Sequence, residues 1–443
     1  MFSRRDFLGQ VSAVAAWAWV GRGSASGSVL GDSFSQGTAS NVAAQSPAAD
    51  PALLERARAL LQEAPFIDTH NDLPSMLLEQ HGDLARFDLG KVQPTLCADV
   101  PRMREGRVGA QYWSVFVESA TQRTHTSLHE AMREFDVALR LIHSQVDFEQ
   151  ARTADDIERI HKAGKIACLM GVEGGHMIEN SPASLRMFHE LGARYMTLTH
   201  WDNIDWADSA TDRPVHYGLT GFGKQVVREM NRLGMFVDLS HVSADTMRDA
   251  LAATRAPVIF SHSSAYGVNP HPRNVPDDVL KKTATNGGVV HVNFINEFIS
   301  TRRLKWEQER IEALRELHPR FDTDEAIDQE IKKWEAEHPA PRATIAEVAD
   351  HIDHIRDAAG IEHIGVGADY YDAGRKSMAE GLDDVTRYPY LFAELLRRKY
   401  SDDDVRKIAG QNHLRAMRQM ERVAAELQKS EGPMLVEGVG EKE

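Results

Sequence analysis

The stretch FIDTHNDLP, residues 66–74, runs two apolar residues into Asp68, His70 and Asp72 and then meets a proline. A β-strand sends alternate side chains to one face, so these three polar residues would share a face. The exposed face of an edge strand would show the same alternation. In the other reading, His70 and Asp72 grip one metal ion from the end of a strand. Imidazole nitrogen and carboxylate oxygen suit zinc and its divalent neighbours. The rest of the chain decides between the two.

Working outward, short apolar runs alternate with longer segments of helical spacing. The runs are FIDTH (66–70), QYWSVFV (111–117), IACLMGVE (166–173), YMTLTH (195–200), MFVDLSH (235–241), PVIFSH (257–262), GVVHVNF (288–294) and HIGVGAD (363–369). Continuous apolar strands alternating with amphipathic helices imply a parallel sheet covered by helices. Eight of them fit a (β/α)8 TIM barrel. A doubly wound sheet would carry a Gly-rich turn after its first strand, where this chain has His-Asn-Asp.

The ends of these runs carry the chemistry. His70 and Asp72 follow the first, Glu173 closes the third, and His200, His241 and His262 close the next three. Asp369 closes the last. In a (β/α)8 barrel all these ends converge on one face, where active sites are built. Four histidines and three carboxyl groups at one barrel mouth would be destabilising unless paired or metal-bound. The first strand therefore stops at His70–Asp72 because the mouth begins there. Seven such groups exceed the ligand set of a single catalytic zinc. Two ions use the surplus, and Glu173 is the natural bridge, since a carboxylate offers two oxygens.

Bulk properties narrow the class. The 443-residue chain is 42% hydrophobic, ample for a core, and its formal charge of −15 excludes a nucleic-acid partner. Two cysteines, Cys97 and Cys168, cannot build a disulfide framework or a thiolate metal site. Near the N-terminus, SRRDFLGQVSAVAAWAWVG places Arg4 and Arg5 before an apolar stretch too short to span a bilayer comfortably. SRRDFLG resembles a bacterial twin-arginine export signal, which implies a periplasmic protein with no stable membrane span in the mature form. Residues 1–50 thus read as export signal and linker, 51–428 as the catalytic barrel, and 429–443 as a flexible tail. A charged helical pair is expected to be inserted at 302–341, with Leu304, Ile311, Leu314, Ile327, Ile331 and Trp334 at helical spacing. It could cover the active site or mediate a homodimer, or it is surface decoration.

FIDTHNDLP, GVEGGH, YMTLTH, GLTGFGKQVVREMNRLGMFVDLSHVS, PVIFSHSSAY, HPRNVPDD and HIGVGAD together resemble the membrane (renal) dipeptidase family, the M19 metallopeptidases, over roughly residues 55–420. The resemblance implies a barrel of the metal-dependent amidohydrolase type holding two zinc ions. It also implies hydrolysis of dipeptides, including some with a D-residue at the C-terminal position. By resemblance His70 and Asp72 bind the first zinc, Glu173 and a hydroxide bridge, and His241 and His262 bind the second. His200 contacts the substrate and its oxyanion, Arg273 grips the substrate carboxylate, and Asp369 handles protons. Where the family continues Phe-Asp-Gly after that aspartate, this chain has Tyr370, Tyr371 and Asp372. Other expectations attach to neighbours. Asp68 would orient His70; Arg273 could instead pair with Asp277 or Asp278; His176, His271 and His291 read as loop or core histidines. Rival functions are amide, β-lactam or lactone hydrolysis at the same two-metal mouth, and a non-catalytic binding protein on the same barrel. That last reading is disfavoured because no ligand position is lost.

Overall fold

A computed structural model describes residues 50–321, 323–372 and 376–435. The twin-arginine motif, nearly all of the linker and residues 436–443 lie outside the described residues. Among the described residues nine strands run in chain order: β1 Phe66–Asn71, β2 Val108–Phe116, β3 Phe148–Gln150, β4 Ile166–Glu173, β5 Ala193–Thr197, β6 Phe236–Asp238, β7 Ile259–Phe260, β8 Val289–Val292 and β9 Ile364–Val366. Every pairing between them is parallel. β1 pairs with β2 on one side and with β9 on the other, and β2 pairs directly with β4. The ladder then runs from β4 through β5, β6, β7, β8 and β9 back to β1, which closes an eight-stranded (β/α)8 barrel.

All eight expected strands are present. The ninth, β3, is an addition that the apolar pattern did not reveal. It pairs with Ile166–Cys168 at the start of β4, and β5 joins β4 from Met170 onward. Each residue of β4, IACLMGVE, is buried. That burial on both faces is why the run is continuously apolar rather than alternating.

The helices are punctuated as their sequences dictate. Thr220 caps Gly221–Leu233 through its side chain and Gly234, at φ 79°, ends it in the left-handed region. Ser243 caps Ala244–Ala253 in the same way. Helix Asn412–Ser430 delivers Leu414 and Met417 to a cluster with Ile67, Tyr112, Leu169 and Tyr195 from the strands. Beyond it the backbone of Met434 is held at both groups: its N–H donates to Glu229, and its carbonyl accepts from Arg186.

By internal contacts the described chain forms two units, residues 308–338 and the remainder. Helices Thr301–Leu317 and Asp324–Glu337 stand where the insertion was expected. Leu314, Ile327 and Ile331 form a small apolar cluster there, with Trp334 against it, and Arg310 pairs with Glu335. Among the described residues no helix is long and apolar enough to cross a membrane. Cys97 and Cys168 are buried and free.

Candidate metal centre

β1 carries His70 into the barrel mouth, and the chain then turns into helix Leu73–Glu79 with Asp72 at its N-cap. An aspartate there normally bonds the first turn. Asp72 makes no such bond. Its Oδ2 instead lies 3.5 Å from His70 Nε2, and its Oδ1 has no hydrogen-bond partner among the described residues. Glu173 ends β4 and faces both ways. Its Oε2 is 3.4 Å from His70 Nε2, while its Oε1 is 3.1 Å from His241 Nε2 and 3.3 Å from His262 Nε2. Ser114 Oγ also donates to Oε2. His241 Nε2 and His262 Nε2 are 3.0 Å apart.

The sequence reading placed His200, His241, His262 and Asp369 at strand ends. The ladders stop two or three residues earlier, at Thr197, Asp238, Phe260 and Val366. The backbone has to leave the extended conformation there to aim side chains across the mouth. His241 (φ 66°) and Asp369 (φ 68°) do so in the left-handed region, which costs a non-glycine residue about 1–3 kcal/mol. Asp369 Oδ1 lies 3.8 Å from His70 Nε2, and His200 Nε2 lies 3.8 Å from Glu173 Oε1. The His200 ring packs edge-on against Phe116 and Trp201.

Three groups of candidate ligands form among the described residues: His70/Asp72/Glu173, Glu173/His241/His262 and His70/His262/Asp369. A tetrahedral ion about 2.0–2.2 Å from its donors holds those donors roughly 3.3–3.6 Å apart. His70–Asp72 at 3.5 Å and His70–Glu173 at 3.4 Å lie in that range, while Glu173–His262 at 3.3 Å, Glu173–His241 at 3.1 Å and His241–His262 at 3.0 Å lie at or somewhat below its lower end. His70 Nε2 has no hydrogen-bond partner among the described residues. Burial, together with Arg273 and the neighbouring rings, holds His241 and His262 well below the ordinary imidazole pKa, so they are neutral and able to donate a lone pair. Burial also raises the carboxyl of Glu173, against the pull of His70, and lifts Asp369 to about 7. Carboxyl groups crowded in a buried mouth beside neutral imidazoles call for cations, and the donor set fits divalent metal.

Arg273 lies just behind. Its guanidinium is fully buried; among the described residues its Nη atoms make only long bonds, to Ser263 Oγ (3.4 Å) and His262 O (3.3 Å), and its Nε makes none. The ion pair considered for it does not form: Asp277 pairs with His354 and Asp278 with Arg248. Phe298 lies under the guanidinium at 5.2 Å. A buried cation whose N–H groups are so poorly matched is ready to receive an anion.

Asp68 departs from expectation. Its carboxylate accepts from Tyr388 Oη (2.6 Å), Gln111 Nε2 and Ala368 N, and touches His70 only at the backbone N–H. It ties β1 to the chain after β9 and leaves the imidazole alone. The ring is oriented by Tyr195, whose hydroxyl lies 2.9 Å from His70 Nδ1. Tyr195 can reach it because residue 171 is glycine; a Cβ there would sit 1.9 Å from the tyrosine ring. Sequence reasoning missed Tyr195, since nothing local marks it as a neighbour of residue 70. His176 and His291 are buried and His271 is a half-buried loop residue, within the loop-or-core expectation; they bond to Val117 O, Phe260 O and Arg273 N respectively. His413, not foreseen, links His291 to Tyr112.

Residues 54–431 match the profile described as Membrane dipeptidase (Peptidase family M19). The chain belongs to this family. It is a metallodipeptidase. The dipeptidase is 38% identical over 385 residues to dipeptidase tcpJ of Claviceps purpurea (strain 20.1), covering 84% of this chain and 80% of that one. It is 37% identical to dipeptidase 3 of Rattus norvegicus, covering 84% and 69%. Its fold is similar to the crystal structure of the probable dipeptidase PvdM from Pseudomonas aeruginosa (TM-score 0.73, 22% identity, 84% of this chain and 99% of that one). It is also similar to a metallo peptidase from Rhodobacter sphaeroides, solved with a phosphinate mimic of the dipeptide L-Ala-D-Ala (TM-score 0.64, 23% identity, 81% and 99%).

Proposed function

We propose that the dipeptidase works with two zinc ions. His70 and Asp72 would hold one, His241 and His262 would hold the other, and Glu173 would offer an oxygen to each. The observation that carries this reading is the split of Glu173, with Oε2 turned to His70 and Oε1 turned to His241 and His262. When bound, such ions polarise the scissile carbonyl and make a water nucleophilic near neutral pH. The remaining roles belong to side chains. Arg273 receives the substrate carboxylate in a bidentate grip, which sets the peptide bond over the mouth. His200, buried beside Glu173, stabilises the carbonyl oxygen as charge develops on it. Asp369 takes the proton of the attacking water and passes it to the leaving amine.

A C-terminal D-residue is accepted in this reading. The Rhodobacter sphaeroides neighbour, solved with a mimic of L-Ala-D-Ala, supports that part. The Arg4-Arg5 motif supports export to the periplasm by the twin-arginine route.

The test combines metal analysis with a ninhydrin assay on dipeptides of L,L and L,D configuration. About two zinc equivalents per chain are expected, and Glu173→Ala should lose metal and activity together. Full activity with one tightly bound ion sinks the binuclear reading. Cleavage of β-lactams or lactones in preference to every dipeptide would move the substrate to the rival class.

A further inference from the structure

His262 is tied at its far nitrogen to a relay that ends in a buried carboxylate. Ser261 Oγ lies 2.8 Å from His262 Nδ1 and donates to Asp238 Oδ2 at 2.6 Å. Asp238 receives three further donors: Thr197 Oγ1 on Oδ2, and the backbone N–H groups of Ser240 (3.1 Å) and Ser261 (2.8 Å) on Oδ1. All of these groups are buried. Proton bookkeeping then has one solution. An ionised carboxylate only accepts, so Ser261 must give it its single hydroxyl proton. The other contact of that hydroxyl, Ser240 Oγ at 3.4 Å, is far longer and does not compete. Having spent its proton, Ser261 Oγ can only accept from His262, and the imidazole proton must sit on Nδ1. His262 Nε2 is left bare, facing Glu173 Oε1 and His241 Nε2. By contrast, Nδ1 of His241 and Nδ1 of His200 have no partner among the described residues.

We propose that Asp238 is a positioning residue which, acting through Ser261, fixes the tautomer of His262 before any ion arrives. The proposal rests on the reading of His262 as a metal ligand for its purpose, though not for its geometry. It makes the two histidines of that lobe unequal: His262 is preset, and His241 must adopt its binding tautomer on its own.

The experiment uses metal-free enzyme labelled with ¹⁵N-histidine and read by long-range ¹H–¹⁵N correlation at mildly alkaline pH. Wild type should show His262 protonated at Nδ1. Asp238→Asn is the decisive variant, because it is isosteric and replaces the acceptor at Oδ2 by an amide donor. The amide carbonyl stays under the two N–H groups. Ser261 then accepts from the amide, turns its own proton to His262 Nδ1, and pushes the ring proton onto Nε2. The spectrum should report that switch. Zinc affinity, measured by competition with a chromophoric chelator, should fall about 10–100-fold for one of two equivalents. Ser261→Ala, which frees Nδ1 without reversing it, should give a mixture of tautomers and a smaller loss.

A wild-type His262 protonated at Nε2 overturns the proposal, as does an Asp238→Asn spectrum with the His262 tautomer unchanged. Should Asp238→Asn fail to fold, the Ser261→Ala spectrum decides, and an unchanged His262 tautomer there overturns it equally. The tautomer is read without metal. Failure of the two-zinc reading therefore shows up separately, as a wild type that takes up fewer than two ions.

Discussion

Arg273→Met offers the sharpest perturbation, because the structure predicts opposite signs for stability and catalysis. Burial holds this guanidinium down to about 10, against an ordinary value of 12.5. At about 1.4 kcal/mol per pH unit, holding the charge there costs the ligand-free fold roughly 3 kcal/mol. Both folded and unfolded chains are protonated at neutral pH, so the cost is present in full there. It fades only as pH rises from about 10 toward 12.5. The long bonds to Ser263 and His262 and the Phe298 ring return part of it. Methionine of similar length should therefore raise the unfolding free energy by about 1–3 kcal/mol. Catalysis should move the other way. Removing the cation that meets a substrate carboxylate costs about 2–5 kcal/mol, or roughly 30- to several-thousand-fold in kcat/KM. The assay is a double cycle, wild type and Arg273→Met against a dipeptide and its C-terminal amide, with denaturant melts of the ligand-free proteins. Amidation and mutation remove the same contact, so their losses should not add. Equal cleavage of acid and amide by wild type would refute the clamp. A variant several kcal/mol less stable would show that Arg273 is a structural keystone instead.

Other outcomes follow from the same geometry. Asp369→Asn should lower kcat about 10²–10⁴-fold with little change in substrate affinity, and near-normal kcat would move the proton role elsewhere. Glu134, buried and pushed up to about 8, keeps its proton in the fold, while the unfolded chain gives it up above about 4.5. Its contribution to stability is thus lost as pH rises through that window. Glu134→Gln should gain about 3 kcal/mol at pH 7 and nothing near pH 4.5 in urea melts; equal gains at both would contradict it. Replacing Arg4 and Arg5 by Lys should leave the precursor in the cytoplasm, as seen by fractionation, whereas continued export would point to the general secretory route or an anchor.

The sequence alone determined the barrel and the inventory of its mouth. Strands buried on both faces must be continuously apolar, so IACLMGVE and its counterparts stand out without any knowledge of contacts. The chemistry-bearing residues fall just past those runs because parallel strands send their C-terminal ends to one face. The three-residue β3 carries no such periodicity and was invisible. Pairings that depend on distance across the barrel were equally hidden. Asp68 sits two positions before His70, yet serves Tyr388, 320 residues away. Tyr195 reaches His70 across 125 residues through the gap left by Gly171. Aspartates lie close to Arg273 in sequence, at 277 and 278, but each is taken by another side chain, His354 and Arg248. Only the closed barrel decided which oxygen of Glu173 faces which histidine, which hydroxyl lies against which imidazole, and that Arg273 has no carboxylate partner among the described residues. Periodicity records which face a side chain points to, whereas partner choice depends on register, closure and the space its neighbours leave.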